Sequence, residues 1–284
     1  MSLLTLSMCV LLNEPLCRSG RLLGVAAQQS LRFDWRRYAA LGPHYNMHMY
    51  QVRLWALEHA LTMIGRTLTG ARVLEVGCGT GFYTKYCAQQ GVVDYVGLDL
   101  TSVSVSELQK RFSKFHFVRA DVTQGTPDVG MNFDVVLVAD VLFHIVDDHA
   151  FAAVIRNIAF WLRNGGLLIA SDVFPPSTVQ TAPHCRNRSL DNYQIHFRQY
   201  GLQIIHMKPI FAVLQPPPVI LGVARPWRWY ARLWRYSLRL ARWTPIDRLL
   251  PDLLAWLDRR FFLPRWGIQA PNSKWLPAVK DDVA

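Results

Sequence analysis

Cysteine is scarce and unpatterned. Cys9, Cys17, Cys78, Cys87 and Cys185 are odd in number and show no metal-ligand spacing, which speaks against a cysteine-built metal centre and fits a reducing cytoplasm. Long apolar runs are missing too: no stretch reaches the roughly 18 residues needed to span a bilayer. The opening MSLLTLSMCVLL has the length of a signal-peptide core, but no basic residue precedes it and no clear small-residue cleavage site follows. Residues 1–25 are therefore expected to be a disordered extension or the product of a misassigned start. Acidic residues are few, 20 against 31 basic ones, and the net charge is +11. The excess is local: residues 225–265 hold ten arginines against three aspartates, +7 of the +11, and the core at 71–215 is close to neutral. Hydrophobic content of 51% with 18% charged residues is globular, and 284 residues suffice for one α/β domain with embellishments.

Within the globular part, residues 73–84 read VLEVGCGTGFYT: an apolar β-branched run, then glycines at 77, 79 and 81, then residues able to start a helix. Glycine tolerates φ > 0 and lets backbone approach a ligand closely, and the following helix offers unpaired N–H groups and a positive dipole end. The spacing is G-x-G-x-G, not the G-x-G-x-x-G of dinucleotide binders. Glu75 precedes the first glycine by two residues, where it would repel a pyrophosphate but suit a ligand with a cationic end. Asp99 ends the next apolar run, VVDYVGLDL, where a carboxylate is able to accept both ribose hydroxyls. Asp121 ends FHFVRAD and is placed to sit beside an adenine amino group. Three acids at three strand ends around a glycine turn describe a pocket for a nucleoside without phosphates.

This constellation resembles the class I S-adenosylmethionine-dependent methyltransferases, over roughly residues 71–215. The resemblance implies S-adenosylmethionine as cofactor, contacted by Glu75, Gly77, Cys78, Gly79, Gly81, Asp99, Leu100, Asp121, Val122 and Asp140. From residue 71 strand and helix patterns alternate, which predicts a parallel sheet with helices on both faces and ligands at the carboxyl ends of the strands. The Asn164-Gly165-Gly166 turn reads as a helix stop, and residues 202–215 read as one long strand. The family closes its sheet with an antiparallel strand, for which NSKWLPAVK is the candidate. The expected fold is thus Rossmann-like α/β: a seven-stranded sheet, mostly parallel with its last strand antiparallel, an N-terminal helical lid and a helical C-terminal insertion. In domain terms these are a lid of two helices at 26–70, the cofactor-binding core at 71–215, a basic aromatic insertion at 216–270 and the final strand and tail at 271–284.

Lid helices in this family commonly cover the cofactor and part of the substrate pocket, so Tyr38, Tyr45 and His48, with His44 and Tyr50, are candidate substrate contacts; aromatics on amphipathic helices also serve as core. Methyl transfer to oxygen requires positioning and removal of a proton. The loop after the fourth strand reads VADVLFHIVDD, which places Asp140 near the methionine end of the cofactor and makes His144 the candidate general base, or a packed structural residue. Asp172 and His184 are competing bases. Arg186 and Arg188 beside His184 suit an acidic or polyhydroxyl acceptor, or a solvated loop. The D/N-P-P-Y/F motif of nucleobase amine methylation is absent, which favours oxygen as the target. Asp147 and Asp148 read as helix-dipole caps, and no metal is expected.

In the insertion, Arg225, Arg228, Arg232, Arg235, Arg239 and Arg242 fall within an arc of about 100° on a helix. Three readings stand: an arginine-faced helix covering the domain with its long stems, an interfacial helix on anionic lipid, or docking to nucleic acid or acidic protein. No recognised RNA module accompanies it, so no nucleic acid partner is expected. The expectation is a small-molecule O-methyltransferase, with a sugar or glycolipid hydroxyl as first acceptor and a quinone or other phenol second. It is cytoplasmic, with membrane-surface contact through residues 225–265 as an option. A methyltransferase-like scaffold without turnover is the rival, and the sequence sets no oligomeric state.

Overall fold

The structure is a computed structural model and describes residues 42–215, 232, 234 and 246–281. Helix α1 (Gly42–Met63) precedes β1 (Arg72–Val76), α2 (Phe82–Gln89), β2 (Asp94–Asp99), α3 (Ser102–Arg111), β3 (His116–Arg119) and β4 (Phe133–Ala139). A single 3₁₀ turn (Leu142–His144) then leads to α4 (Asp148–Trp161), β5 (Leu162–Asp172), the hairpin β6 (Val179–Ala182) and β7 (Cys185–Asn187), α5 (Leu190–Gln199), β8 (Leu202–Ile204) and β9 (Lys208–Pro209). After the undescribed stretch come α6 (Ile246–Leu257), a π-helical turn (Asp258–Phe262), α7 (Leu263–Trp266) and β10 (Lys274–Lys280).

The main sheet runs β3-β2-β1-β4-β5-β10-β8, with β1 to β5 parallel and β10 antiparallel to both neighbours. The antiparallel closing strand expected at NSKWLPAVK is therefore β10, and the short β9, pairing with β10, is an eighth strand. Successive strand side chains alternate between the faces: Val73, Val135, Leu137, Leu167 and Ile169 join one core, and Leu74, Val136, Val138, Leu168 and Ala170 the other. The first core is closed by α1 and α2 through Met49, Val52, Leu57, Tyr83 and Cys87. The second is closed by α4, whose Phe151, Val154, Ile155 and Ile158 form one buried stripe. The helix starts are set locally: Thr101 caps α3, Asp147 caps α4 by accepting from the Ala150 amide at 2.8 Å, and Ser189 caps α5.

Two expectations change. Helix α4 ends at Trp161, and Asn164-Gly165-Gly166 belongs to a bulge in β5 instead: Leu162 pairs with Phe133 and Leu167 with Val135. The single long strand read over 202–215 is two short ones, β8 and β9. Beyond them the amides of Ala212, Val213 and Leu214 find no strand; all three donate to the carboxylate of Asp258, at 3.0, 2.6 and 3.0 Å. One lid helix, α1, lies within the described residues; the rest of the proposed lid, with Tyr38, the extension at 1–25 and most of the arginine stripe at 225–242, lies outside them.

Candidate active site

The glycine turn follows from backbone geometry. Gly77, Gly79 and Gly81 have φ of 79°, 50° and 77°, in the left-handed region that costs an ordinary residue roughly 1–2 kcal/mol. Gly81 is also the N-cap of α2, and a Cβ there would lie 2.3 Å from Leu108 Cδ2. The turn is stitched to β2, because the amides of Gly77 and Cys78 both donate to the Leu98 carbonyl at 2.8 and 2.9 Å. Asp99 completes the brace: one carboxylate oxygen accepts from the Gly79 amide at 2.9 Å, and the other from the Thr101 amide and hydroxyl at 2.9 and 2.8 Å. A carboxylate offers about four acceptor positions, so the residue that holds the turn keeps capacity for a ligand hydroxyl.

Two adjoining cavities meet at Gly77 and Val141. One is lined by Leu98, Asp99, Leu100, Asp121, Val122 and His144, among others. Its Asp121 is exposed, with one oxygen held in a turn by the amide and hydroxyl of Thr123 at 2.9 and 2.6 Å. The other cavity is lined by Glu75, Gly77, Cys78, Gly79 and Asp140 together with Met49, Tyr50, Arg53, Phe82 and Tyr83. Glu75 is buried and accepts from the hydroxyls of Tyr95 and Thr84; burial pushes its carboxyl up to about 8. A buried acid in this condition is poised to ionise against an arriving cation.

Asp140 stands at the tip of β4 with φ 56°, an uncommon conformation for a non-glycine residue. Its side chain accepts from Ser171 Oγ at 2.8 Å and pairs with Arg53 Nη2 at 2.7 Å. Arg53 comes from α1, is buried, and lies over the Phe211 ring at 5.2 Å. No sequence signal singled it out; an arginine inside an apolar helical stripe was the available hint, since a charge placed there demands a partner.

The other predicted residues are placed as follows. His144 lines the cavity that holds Asp99 and Asp121, not the one with Asp140; its Nδ1 lies 3.3 Å from the His184 carbonyl, and burial lowers its imidazole to about 4. It is thus a neutral imidazole over the ordinary working range. His184 sits at the tip of the β6–β7 hairpin, partly buried, its ring stacked 6.3 Å from that of His144. Asp172 is buried away from both cavities and accepts from Tyr193, Asn187 and the Val173 amide at 2.7, 3.1 and 2.6 Å, with burial raising it to about 6. Arg186 and Arg188 turn to Asp148 at the start of α4, each at 2.9 Å, rather than to a cavity. Tyr45 is core: its hydroxyl donates to the Leu214 carbonyl at 2.6 Å and its ring packs on Trp234. His48 lies on α1 against Asp252 of α6 at 2.6 Å, lining neither cavity.

Residues 73–166 match a family model described as a methyltransferase domain. The chain carries a class I S-adenosylmethionine-dependent methyltransferase domain. Curated relatives are methyltransferases as well. The ubiquinone biosynthesis O-methyltransferase of Azorhizobium caulinodans is 34% identical over 110 residues, 37% of this chain and 42% of that protein. Phosphoethanolamine N-methyltransferase 1 of Triticum aestivum is 35% identical over 140 residues, 46% of this chain and 27% of that protein. The chain thus matches less than half the length of either. In fold, it is similar to the 1,6-didemethyltoxoflavin-N1-methyltransferase of Burkholderia thailandensis, solved with S-adenosylhomocysteine, with TM-score 0.51, 17% identity and coverage of 92% of this chain and 87% of that one. It is similar also to the [4+2]-cyclase SpnF, with TM-score 0.50, 18% identity and coverage of 75% and 76%. A shared fold does not fix a shared reaction.

The cofactor of the methyltransferase domain is S-adenosylmethionine, and the residues fit it. The Asp99–Asp121 cavity offers carboxylates for ribose and adenine amino groups, and the Glu75–Gly77–Gly79 cavity offers a buried acid and open backbone for a cationic amino-acid end. When bound, the cofactor supplies an activated methyl group on a positive sulfur.

Proposed function

We propose that the protein methylates a hydroxyl of an aromatic, lipid-like small molecule. The observation that carries this reading is the cavity wall beyond the glycine turn: Met49, Tyr50, Phe82 and Tyr83, with Tyr50 and Phe82 rings 4.1 Å apart, ending at the Arg53–Asp140 pair. Aromatic walls with one polar end suit a phenol or quinol better than a polyol, which needs many polar partners. The quinone-like acceptor therefore ranks above the sugar or glycolipid. In this reading Asp140 accepts a hydrogen bond from the acceptor hydroxyl and so orients its oxygen, while Arg53 compensates the carboxylate. Positioning of this kind supplies much of the rate in an in-line displacement, and His144 remains a candidate proton acceptor across the cavity junction. Tyr38 and Arg186 are assigned no acceptor contact in this proposal.

A second feature supports work at a membrane surface. On α6 and the turn after it, Leu249, Leu253, Trp256 and Phe261 are exposed beside Arg259 and Arg260, the pairing of apolar and cationic groups that interfacial segments use. No helix among the described residues is long and apolar enough to cross a membrane. The exposed apolar and cationic groups suit peripheral attachment to a membrane surface.

The test is S-adenosylhomocysteine release with a panel of catechols and prenylated phenols, sugars, and phosphoethanolamine. Turnover on phenols alone is expected. Preference for sugars or for the amine refutes the acceptor class, and calorimetric binding of S-adenosylmethionine without turnover on any acceptor favours the scaffold. Sedimentation with anionic liposomes tests the surface, and equal recovery with neutral liposomes removes it.

A further inference from the structure

One polar cluster on the molecule has no part in the cofactor site. His44 and His48 are one helical turn apart on α1, so their side chains share a face. Asp252 of α6 meets them from the opposite helix. The ligating atoms converge: His48 Nε2 lies 2.6 Å from one Asp252 oxygen, His44 Nε2 lies 3.5 Å from the other, and the two Nε2 atoms are 3.2 Å apart.

Hydrogen bonding alone serves this arrangement poorly. If both neutral imidazoles donate from Nε2 to the carboxylate, their two N–H hydrogens crowd each other across 3.2 Å. If one Nε2 accepts from the other, it no longer donates to the carboxylate. Double protonation places two cations in contact across 3.2 Å. A single divalent ion satisfies all three lone pairs at once. Tetrahedral coordination at bond lengths of about 2.0–2.2 Å sets neighbouring donors roughly 3.3 Å apart, close to the 3.2 Å between the two Nε2 atoms; the 2.6 Å His48–Asp252 contact must open by about 0.7 Å to the same spacing.

We propose that His44, His48 and Asp252 bind one divalent transition-metal ion, zinc by preference, with solvent completing the shell on the exposed Asp252 side. Two imidazoles and a carboxylate favour zinc over magnesium or calcium, which take oxygen ligands. The ion ties α1, the helix that carries Met49, Tyr50 and Arg53 into the cavity, to α6 beyond β9. Its role is to hold the lid in place, not to perform the transfer, since none of the three ligands lines the cavity. The cost is the nearby Arg259, whose charge opposes the ion.

The experiment uses the full chain, stripped by chelation and titrated with zinc chloride in competition with a chromophoric chelator. Cobalt chloride serves as a spectroscopic probe. The expected result is one ion per chain, a tetrahedral cobalt spectrum, a zinc-dependent rise in melting temperature, and at least tenfold weaker binding in His44→Ala and in Asp252→Asn, the loss that even outer-shell changes produce at metal sites. Asp252→Asn keeps the shape of an exposed side chain, so it reads the site even where a histidine variant fails to fold. Absence of stoichiometric binding to the wild-type chain overturns the proposal, as does binding that Asp252→Asn leaves unchanged. Neither outcome depends on methyl transfer or on the acceptor.

Discussion

Replacing Glu75 by Gln tests the electrostatic logic of the cofactor site. Glu75 is buried on β1 and its carboxyl is raised to about 8, so without a cation nearby it is mostly protonated at pH 7. A ligand with an ammonium end favours the ionised form, and binding must then expel the proton. Linkage sets the size: with a pKa of about 8, roughly 0.9 proton leaves per cofactor bound at pH 7, and affinity rises about ninefold from pH 6 to pH 7, near 1.3 kcal/mol. An α-amino group with a pKa of about 7.7–8.0 stays mainly cationic over that range. Calorimetry in two buffers of different ionisation enthalpy counts the proton directly. Glu75→Gln should bind more weakly, release none and lose the pH dependence. A wild-type affinity that is flat from pH 6 to pH 7, with no buffer effect, refutes the reasoning. Without cofactor the same group works against folding at higher pH. The native carboxyl keeps its proton to about 8 while the unfolded one loses it near 4.5, so the native state binds more protons between those values and stability falls as pH rises through them. Asp172 and Asp258, each raised to about 6 by burial, act in the same direction over the lower part of the window.

Asp99→Ala should weaken S-adenosylmethionine binding by about 1.5–3 kcal/mol, the scale of hydrogen bonds to a charged group; unchanged affinity by calorimetry removes the ribose assignment. Gly81→Ala should destabilise the fold by about 2 kcal/mol or more, combining left-handed strain with a Cβ at 2.3 Å from Leu108, and a melting temperature equal to wild type contradicts it. Arg53→Met should leave cofactor affinity near wild type while raising the acceptor KM and lowering stability, because the Asp140 carboxylate loses its partner; an unaltered KM sinks the acceptor role. His144→Ala should lower turnover, and full activity across the pH profile eliminates it as the base.

The cofactor half of the site was legible because its signals are local. A β-branched strand ending in alternate glycines, and an acid at each following strand tip, lie within a few residues of the backbone turns they serve, and Asp99, Asp121 and Glu75 line the two cavities. Repeated strand–helix units likewise revealed the parallel sheet, and the family resemblance pointed to NSKWLPAVK as the antiparallel closing strand. The acceptor half was not legible, because it depends on pairings between distant segments. Arg53 reaches Asp140 across 87 positions, and Asp258 gathers the amides of residues 212–214 from more than forty positions away. Neither leaves a periodic trace. Arg188 misled for the opposite reason: beside His184 it reads as a loop cation, yet it is buried, donates to the Ile145 carbonyl at 2.7 Å and lies 4.0 Å over the Phe151 ring. Asn164-Gly165-Gly166 carried a true turn signal, but the turn is a bulge inside a strand, a distinction that only the pairing partner decides.

The late position of β10 carries a consequence for synthesis. Because β10 seats between β5 and β8, a ribosome that has delivered every cofactor-facing residue has still produced a sheet whose eleven-residue fifth strand lies bare along one side. That flank, rich in Leu and Ile, is the kind of open ladder that recruits other chains. It stays uncovered while more than one hundred further residues emerge, so yield in the cell should depend on chaperone supply more steeply than the finished fold would suggest.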